Sequence, residues 1–484
     1  MHDRANARRS TVTVLHPAGG QVLNPRESTN ARYLMFMPLL TFKENGELEG
    51  KLAESWEYSA DYHEVTYHLR TDIRWHDGVP VTAHDIKFSM ELMTHPEVLE
   101  EGPGFFGAIT VLDDWTLRLR DGSGGTDEVF WPKHLLEHLD PKEFYEWDFW
   151  TRPVGNGPYR FVRYLPETMM EFESNPDYYR GQPKIERVVF KFAAEAGLTE
   201  LLSGNVDAIT EINPMQVPKL AKDPRFRAYH SFAGWWIQRA IYWQNAHPLF
   251  HDPSVRRALT LAINRRELKR VINLPEIVPV VDGPYTFRQL QRGLLPEPLP
   301  YDPARARALL DAAGWRDHDG DGVRERNGQA FRFTVLVGSL QSNKEMAVYI
   351  QGQLRKVGVA MNIRTLPNMN VISILETGKF EAVMTSFLTG WLHRFHFGEG
   401  FPLGYKNAEL VKLADQVEVT VDPDSKDRIY QKLLEIFRAD MPITFLFPRM
   451  RTTFAHRRLQ GLSSPWRAGP TRYMEHLWLE DEDW

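Results

Sequence analysis

Apolar residues in the second half of the chain switch between a period of two and a period near 3.6. Phe331, Phe333, Val335 and Val337 recur at every second position and predict a strand. Met346, Ile350 and Leu354 then share one helical face, and Gly358 ends that helix. Val359, Met361 and Ile363 predict the next strand, Val371–Leu375 a helix and Phe380–Phe387 another strand. Strand, helix, strand, helix, strand predicts an α/β lobe with crossover connections. Two capped helices precede it. Asp252-Pro253 sets an N-cap before a proline at the first helical position, with Val255, Leu259, Ala262 and Ile263 on one stripe. Asp302-Pro303 repeats the device, with Ala306, Leu309, Leu310 and Ala313 inward and Gly314 as the stop.

The first half is less regular. Val12–Leu15 predicts a short strand, and Trp56–Leu69 predicts another with Val65, Tyr67 and Leu69 on one face. After the turn His76-Asp77-Gly78, Thr82 and Asp85 form a capping-box variant ahead of a helix whose apolar face is Ile86, Met90 and Met93. Ile109–Leu119 predicts a hairpin turning at Asp113-Asp114. Gly155-Asn156-Gly157-Pro158 is a strong breaker and a crossover point between lobes, and Phe172–Phe192 mixes turn and strand signals. Leu198–Leu202 predicts a short helix ending at Gly204, with a strand over Val206–Ile209.

Composition narrows the class. A chain of 484 residues holds two large lobes or three domains at ~100–200 residues each. Cysteine is absent, which excludes disulfide scaffolds, zinc–thiolate sites and thiol catalysis. The net charge is −6 with both signs mixed, so neither a nucleic acid nor an anionic membrane is an expected partner. No apolar run approaches the ~20 residues that span a bilayer, and the best, Tyr33–Phe42, is broken by Pro38. Arg8 and Arg9 precede no apolar segment of export-signal length, which suggests either a cytoplasmic chain or one written without its signal.

Several segments, in order, carry a family resemblance. They are Gly50-Lys51-Leu52-Ala53-Glu54-Ser55-Trp56 with Tyr67-His68-Leu69-Arg70, Trp75-His76-Asp77-Gly78 through Thr82-Ala83-His84-Asp85-Ile86, Gly155-Asn156-Gly157-Pro158-Tyr159, and Asn175-Pro176-Asp177-Tyr178-Tyr179-Arg180-Gly181. Gly204-Asn205-Val206-Asp207, Asp252-Pro253-Ser254-Val255-Arg256-Arg257-Ala258-Leu259, and Tyr301-Asp302-Pro303 through Ala313-Gly314-Trp315 follow. From about Asn24 to about Phe447 the chain resembles the family 5 extracellular solute-binding proteins, the peptide, nickel and oligosaccharide receptors of ABC importers.

The resemblance implies an α/β, bilobal periplasmic-binding-protein type II fold in its large three-domain, peptide-receptor-like variant. Domain I would comprise residues 1–37, 155–240 and 452–484, domain II residues 38–154, and domain III residues 241–451. A small polar ligand, a peptide or a peptide-like and even anionic solute, would sit in a cleft between lobes that close by a hinge. The implied partner is the membrane permease of an ABC importer. The implied protein is a monomer in the periplasm or anchored outside the cell, with no cofactor and no catalytic residue. An oligosaccharide or metal-chelate receptor of the same family is the alternative. A cytoplasmic sensor with this fold is the alternative class, although the segment before Val12 is too short for a helix-turn-helix. No nucleophile elbow, His-Glu-x-x-His or phosphate loop supports a hydrolase.

The candidate ligand-binding residues are Trp391, Arg394, Trp236, Tyr33, Asn156 and His393. Peptide receptors of the family follow a Gly-Trp pair with an aspartate three residues later that holds the ligand's α-ammonium. Here Gly390-Trp391 is followed by Arg394, whose planar fork suits a carboxylate or phosphate, unless it is a solvated loop charge. Trp235, Trp236 and Trp243 offer a stacking wall or ordinary core. Two segments have partial metal-site spacing. Asp317-His318-Asp319-Gly320-Asp321-Gly322 opens like a calcium loop but has Gly328 where the bidentate Glu belongs, and so reads as a polar turn. His393, His396 and Glu399 have ligand spacing on a helix, but Gly390, Gly398 and Gly400 argue for a loop.

Overall fold

The computed structural model describes residues 10–16, 24, 32–43, 47–98, 107–121, 126, 128–192, 197–209, 220–232, 237–285, 287–388, 403–462 and 474–480. Contacts divide the chain into two compact units. One comprises residues 1–232, 418–425 and 451–484, and the other residues 233–417 and 426–450.

The first unit is built on a seven-stranded sheet in the spatial order 226–232, 450–456, 208–209, 11–16, 187–192, 169–174, 159–165. Thr11–His16 is the hub and runs parallel to both Arg187–Phe192 and Ala208–Ile209. Val12 and Val14 alternate into the core, as the period of two requires. The segment Phe172–Phe192 resolves into the antiparallel strands Met169–Ser174 and Arg187–Phe192 with a turn-rich link.

A separate four-stranded antiparallel sheet, in the order 53–58, 64–69, 116–120, 108–113, belongs to the same unit. The segment Trp56–Leu69, expected as one strand, is a hairpin in which Trp56 faces Tyr67. Its turn contains no glycine or proline. Ser59 Oγ donates to Asp61 Oδ1 at 2.6 Å and accepts from Glu64 N at 2.9 Å, while Tyr62 takes φ 59°. Helix Ala83–Met93 starts with the expected box: Asp85 Oδ2 accepts from Thr82 N at 2.8 Å. The other Asp85 oxygen accepts from Lys133 N at 2.9 Å, which ties the helix start to the next segment. Phe144 sits edge-on to Trp147 and Trp150 with centroids 5.2 and 5.4 Å apart, so these aromatics are core packing.

The second unit has the predicted α/β pattern. Its sheet runs in the order 360–366, 332–338, 382–388, 237–243, 443–448. The first three strands are parallel, and Ile237–Trp243 is antiparallel to both its neighbours. Helix Gln341–Arg355 and helix Asn368–Thr377 make the crossovers, and the latter ends at Gly378 with φ 68°. Both proline-started helices are capped as expected, with Asp252 Oδ1 accepting from Ser254 N at 2.8 Å and Asp302 Oδ1 from Arg305 N at 2.8 Å. Ala306 and Leu310 are buried, whereas Leu309 and Ala313 are only half-buried. Trp243 is fully buried, donates from Nε1 to Thr444 Oγ1 at 2.9 Å and packs on Phe250, so it is core and not a stacking surface.

Arginines of the second unit's motifs also hold the fold. Arg256 reaches four backbone carbonyls, those of Phe250, His251, Asp440 and Met441. Burial pushes its guanidinium down to about 10. Arg265 pairs with Asp282 at 2.5 Å, both completely buried.

Candidate ligand-binding site

The first unit presents one closely fitted junction around two candidate residues. The Gly155-Asn156-Gly157 breaker lies against the short helix Arg32–Met35. The backbone N–H groups of Asn156 and Gly157 both donate to Met35 O at 2.8 Å. A Cβ on Gly155 would stand 2.0 Å from that same oxygen, so only glycine allows the approach. Asn156 is buried, and its Oδ1 accepts from Met37 N at 2.8 Å. Its Nδ2 is buried with no partner among the described residues. His76 locks the junction from the other side. Its backbone N–H donates to Gly155 O at 2.7 Å, its Nε2 meets Gly157 O at 3.1 Å, and its Nδ1 accepts from Gly155 N at 3.3 Å. That pattern fits one tautomer of neutral imidazole, and burial holds the pKa down at about 4. Tyr33 is half-buried, with the Arg32 guanidinium 5.3 Å from its ring centre.

Beside Tyr33 lies a cavity of about 30 Å³ lined also by Lys51, Tyr178, Glu475 and His476. A water needs roughly 10–15 Å³ of such space, so the cavity holds a water or two and excludes a peptide-sized solute. Its polar wall is an ion network. Lys51 Nζ lies 2.7 Å from Glu475 Oε1, and Tyr178 OH donates to the other oxygen. Burial works against the Glu475 charge, but Lys51 and His476 outweigh it and hold the carboxyl well below its usual range.

In the second unit strand direction defines a carboxyl edge. Strands 332–338, 360–366, 382–388 and 443–448 all end on one edge of the sheet, where Ile237–Trp243 begins. Ligands of open α/β sheets bind at such carboxyl edges, next to the starts of the crossover helices. Arg239 lies there opposite Phe447 and Ser386, and its Nη1 donates to Asn343 Oδ1 at 3.0 Å. Sequence reasoning passed over Arg239. The available signal was a lone cation inside the otherwise strand-like Ile237-Gln238-Arg239-Ala240-Ile241-Tyr242-Trp243.

Of the six candidates, Tyr33 and Asn156 fall among the described residues and share the junction above. Trp236, Trp391, His393 and Arg394 lie outside them, as do Trp235, His396 and Glu399. In the chain, Trp236 immediately precedes Ile237, and Gly390-Trp391 follows Leu388 by two residues. Asp317, Asp319 and Glu325 bring carboxylate oxygens within 4.8 Å of one another on the surface. Their oxygens already serve the turn: Asp317 accepts from Gly320 N at 2.7 Å and Gly322 N at 3.0 Å, and Glu325 from His318 N at 2.6 Å. This is the polar turn expected ahead of Phe331.

The model of the bacterial extracellular solute-binding proteins, family 5, matches residues 47–406. The chain belongs to this family. The oligopeptide-binding protein AppA of Bacillus subtilis is 23% identical over 451 residues, covering 87% of this chain and 82% of AppA. The structure of that AppA with a nonapeptide superposes with a TM-score of 0.71 at 21% identity, covering 97% of this chain and 99% of AppA. NikZ from Campylobacter jejuni, in complex with Ni(L-His), gives a TM-score of 0.75 at 21% identity over 97% of this chain and 99% of NikZ. The type II α/β fold of family 5 solute-binding proteins is therefore present, and the expectation drawn from the ordered motifs holds. Among the described residues, no helix of this solute-binding protein is long and apolar enough to cross a membrane. The family motifs act mainly as architecture, as Asp85, Gly155, Arg256 and Asp302 illustrate.

Proposed function

We propose that this family 5 protein is the receptor of an ABC importer, binding a peptide or peptide-like solute outside the cell membrane and delivering it unchanged to the permease. The observation that carries the reading is the extent of the likeness to AppA, an oligopeptide-binding protein, across 87% of the chain. On this reading the protein is a monomer that handles no nucleic acid and performs no turnover. It works in the periplasm or anchored outside the cell. The domains follow the boundaries 1–37, 155–240 and 452–484 for the first, 38–154 for the second and 241–451 for the third. The three largest sheets, of seven, four and five strands, fall mainly one to each and support that division, although strand Ile237–Trp243 crosses the boundary at 240. Tyr33 and Asn156 serve the ligand from the first domain, with Trp236 at its end. Trp391, His393 and Arg394 serve it from the third, next in the chain to the carboxyl edge of the sheet.

Native mass spectrometry of the purified protein tests this directly. A retained or added small peptide should appear bound at one to one and be recovered intact. Cleaved product accumulating at catalytic rates would replace the receptor with an enzyme.

The likeness to NikZ, solved with Ni(L-His), favours one second reading, a metal-chelate receptor. His393, His396 and Glu399 would then supply ligands. Stoichiometric nickel by elemental analysis, lost on His393→Ala, would move this reading to first place.

A further inference from the structure

Among the described residues, two arginines at the carboxyl edge of the second unit's sheet have no internal counter-charge. Arg239 is on strand Ile237–Trp243, and Arg449 directly follows the neighbouring strand Ile443–Pro448. The two strands are hydrogen-bonded, with Gln238 opposite Pro448, so the arginines stand at adjacent places on one edge. Among the described residues neither forms an ion pair, and the side-chain hydrogen bond that Arg239 makes goes to the neutral carboxamide of Asn343. Both remain partly accessible. Burial, with the like charge of Arg449 added, pushes the Arg239 guanidinium down to about 10.

Their surroundings add positive potential. Helix Gln341–Arg355 starts here, with Leu340 at its N-cap, no side-chain cap and no acid in its first turn. The Asn343 and Asn368 carboxamides meet above Gly338, where a Cβ would stand 2.0 Å from Asn368 Oδ1 and 3.0 Å from Asn343 Nδ2. Among the described residues, Arg239 is held through Nη1 alone, which leaves its other side-chain N–H groups, and those of Arg449, open to an outside acceptor. Two other arginines of the unit taken out of water are matched, Arg265 by Asp282 and Arg256 by four carbonyls. Arg239 is the contrast. An uncompensated cation costs stability in the free protein, and that cost is recovered when an anion binds.

We propose that Arg239 and Arg449, positioned by Asn343, form a binding site for an oxyanion of the transported solute, the carboxylate in a peptide-like ligand. The inference rests on the receptor reading. It adds a charged subsite formed wholly by the second unit, independent of Arg394.

The test uses thermal shift and calorimetry on the full chain and on Arg239→Met, Arg239→Lys and Arg449→Met. The probes are tri-alanine, tri-alanine C-terminal amide, sodium acetate and inorganic phosphate, each against sodium chloride at equal ionic strength. The wild type should bind tri-alanine at least tenfold more tightly than the amide, and Arg239→Met should lose that preference while Arg239→Lys keeps part of it. Ligand-free Arg239→Met should melt at or above the wild-type temperature, since it loses an unmatched cation. A melting temperature several degrees lower would mean that Arg239 is paired within the protein, and would overturn the proposal. Equal binding of tri-alanine by wild type and both methionine variants would also overturn it while leaving the receptor reading intact. Stabilisation by acetate or phosphate that depends on both arginines, without any peptide binding, would keep the oxyanion site and refute the peptide reading. The stronger of the two anions then identifies the group the site takes.

Discussion

Arg458 and Asp207 are buried against each other, with Arg458 Nε 2.7 Å from Asp207 Oδ1, although 251 residues separate them in the chain. The other Asp207 oxygen accepts from Thr13 N at 2.7 Å, and Arg458 also donates to Thr11 O at 3.0 Å. The pair therefore ties strand Thr11–His16 to the short strand after Asp207 and to the chain's return near its end. Burial raises the Asp207 pKa, and the attraction of Arg458 only partly offsets this. Such a pair adds little net stability, but half of it is costly. Asp207→Ala should destabilise the first unit by about 3–5 kcal/mol. Combining it with Arg458→Met should recover part of that loss. Urea titration followed by circular dichroism reads both, and a double variant less stable than the single one would refute the argument.

His76 makes the junction at Gly155 and Gly157 sensitive to acid. Its folded pKa, about 4, lies below the ordinary histidine value. A depressed pKa means that the unfolded chain binds the proton first as pH falls. The His76 contribution is thus complete above about pH 6.5 and lost as pH drops towards 4. The expected slope approaches one proton, about 1.4 kcal/mol per pH unit. His76→Gln can keep one donor and one acceptor without titrating. Unfolding measured from pH 7 to 4 should show the variant with a shallower decline than the wild type, and identical slopes would remove His76 from the account.

Two glycine-to-alanine changes should act with opposite sign. At Gly155 the new methyl would lie 2.0 Å from Met35 O, a backbone atom with no room to yield. Gly155→Ala should cost about 3 kcal/mol or more and displace Tyr33, Met37 and Asn156 together. At Gly352, on an exposed stretch of helix Gln341–Arg355, nothing lies within 4 Å. Gly352→Ala should stabilise by about 0.5–1 kcal/mol. Thermal unfolding separates the two, and a stable Gly155→Ala protein would contradict the close approach.

The sequence was legible where cause and effect are local. Thr82 with Asp85, Asp252 with Pro253, and Asp302 with Pro303 carry their caps within three residues, and all three helices start where expected. The hairpin within Trp56–Leu69 was missed because Ser59, Asp61 and Tyr62 build its turn from side-chain hydrogen bonds and a positive φ, without the usual glycine. Distance in the chain hid the rest. Asp207 was recognised as part of a motif, but nothing near it points to Arg458. Arg239 is an ordinary strand arginine until strand order brings Arg449, 210 residues later, to the same edge. Asn156 is a ligand candidate from its motif, and the engagement of its Oδ1 by Met37 N, 119 residues away, is not legible there.

Arg394 carries the last prediction. Where the family resemblance implies an aspartate for a peptide's ammonium, this chain has Arg394, and an anionic partner is expected in its place. If Arg394 pairs with an anion in a water-poor bound state, removing one member of that pair costs ~2–5 kcal/mol, roughly thirtyfold to several-thousandfold in Kd. Arg394→Ala should therefore weaken binding of the solute identified by native mass spectrometry while leaving ligand-free stability unchanged. Arg394→Lys should recover only part, because an ammonium lacks the planar two-pronged contact. Arg394→Asp should be worse than alanine for the native solute and should favour ligands with a free amine. Arg239→Met adds a second dimension. If both arginines hold the same anion, their effects fall short of additive, whereas two separate anions give effects that sum within about 0.5 kcal/mol. Calorimetry on the two single variants and the double decides between these. A Kd for Arg394→Ala within about threefold of wild type, ~0.7 kcal/mol, would make Arg394 a loop charge and leave the anion to Arg239 and Arg449.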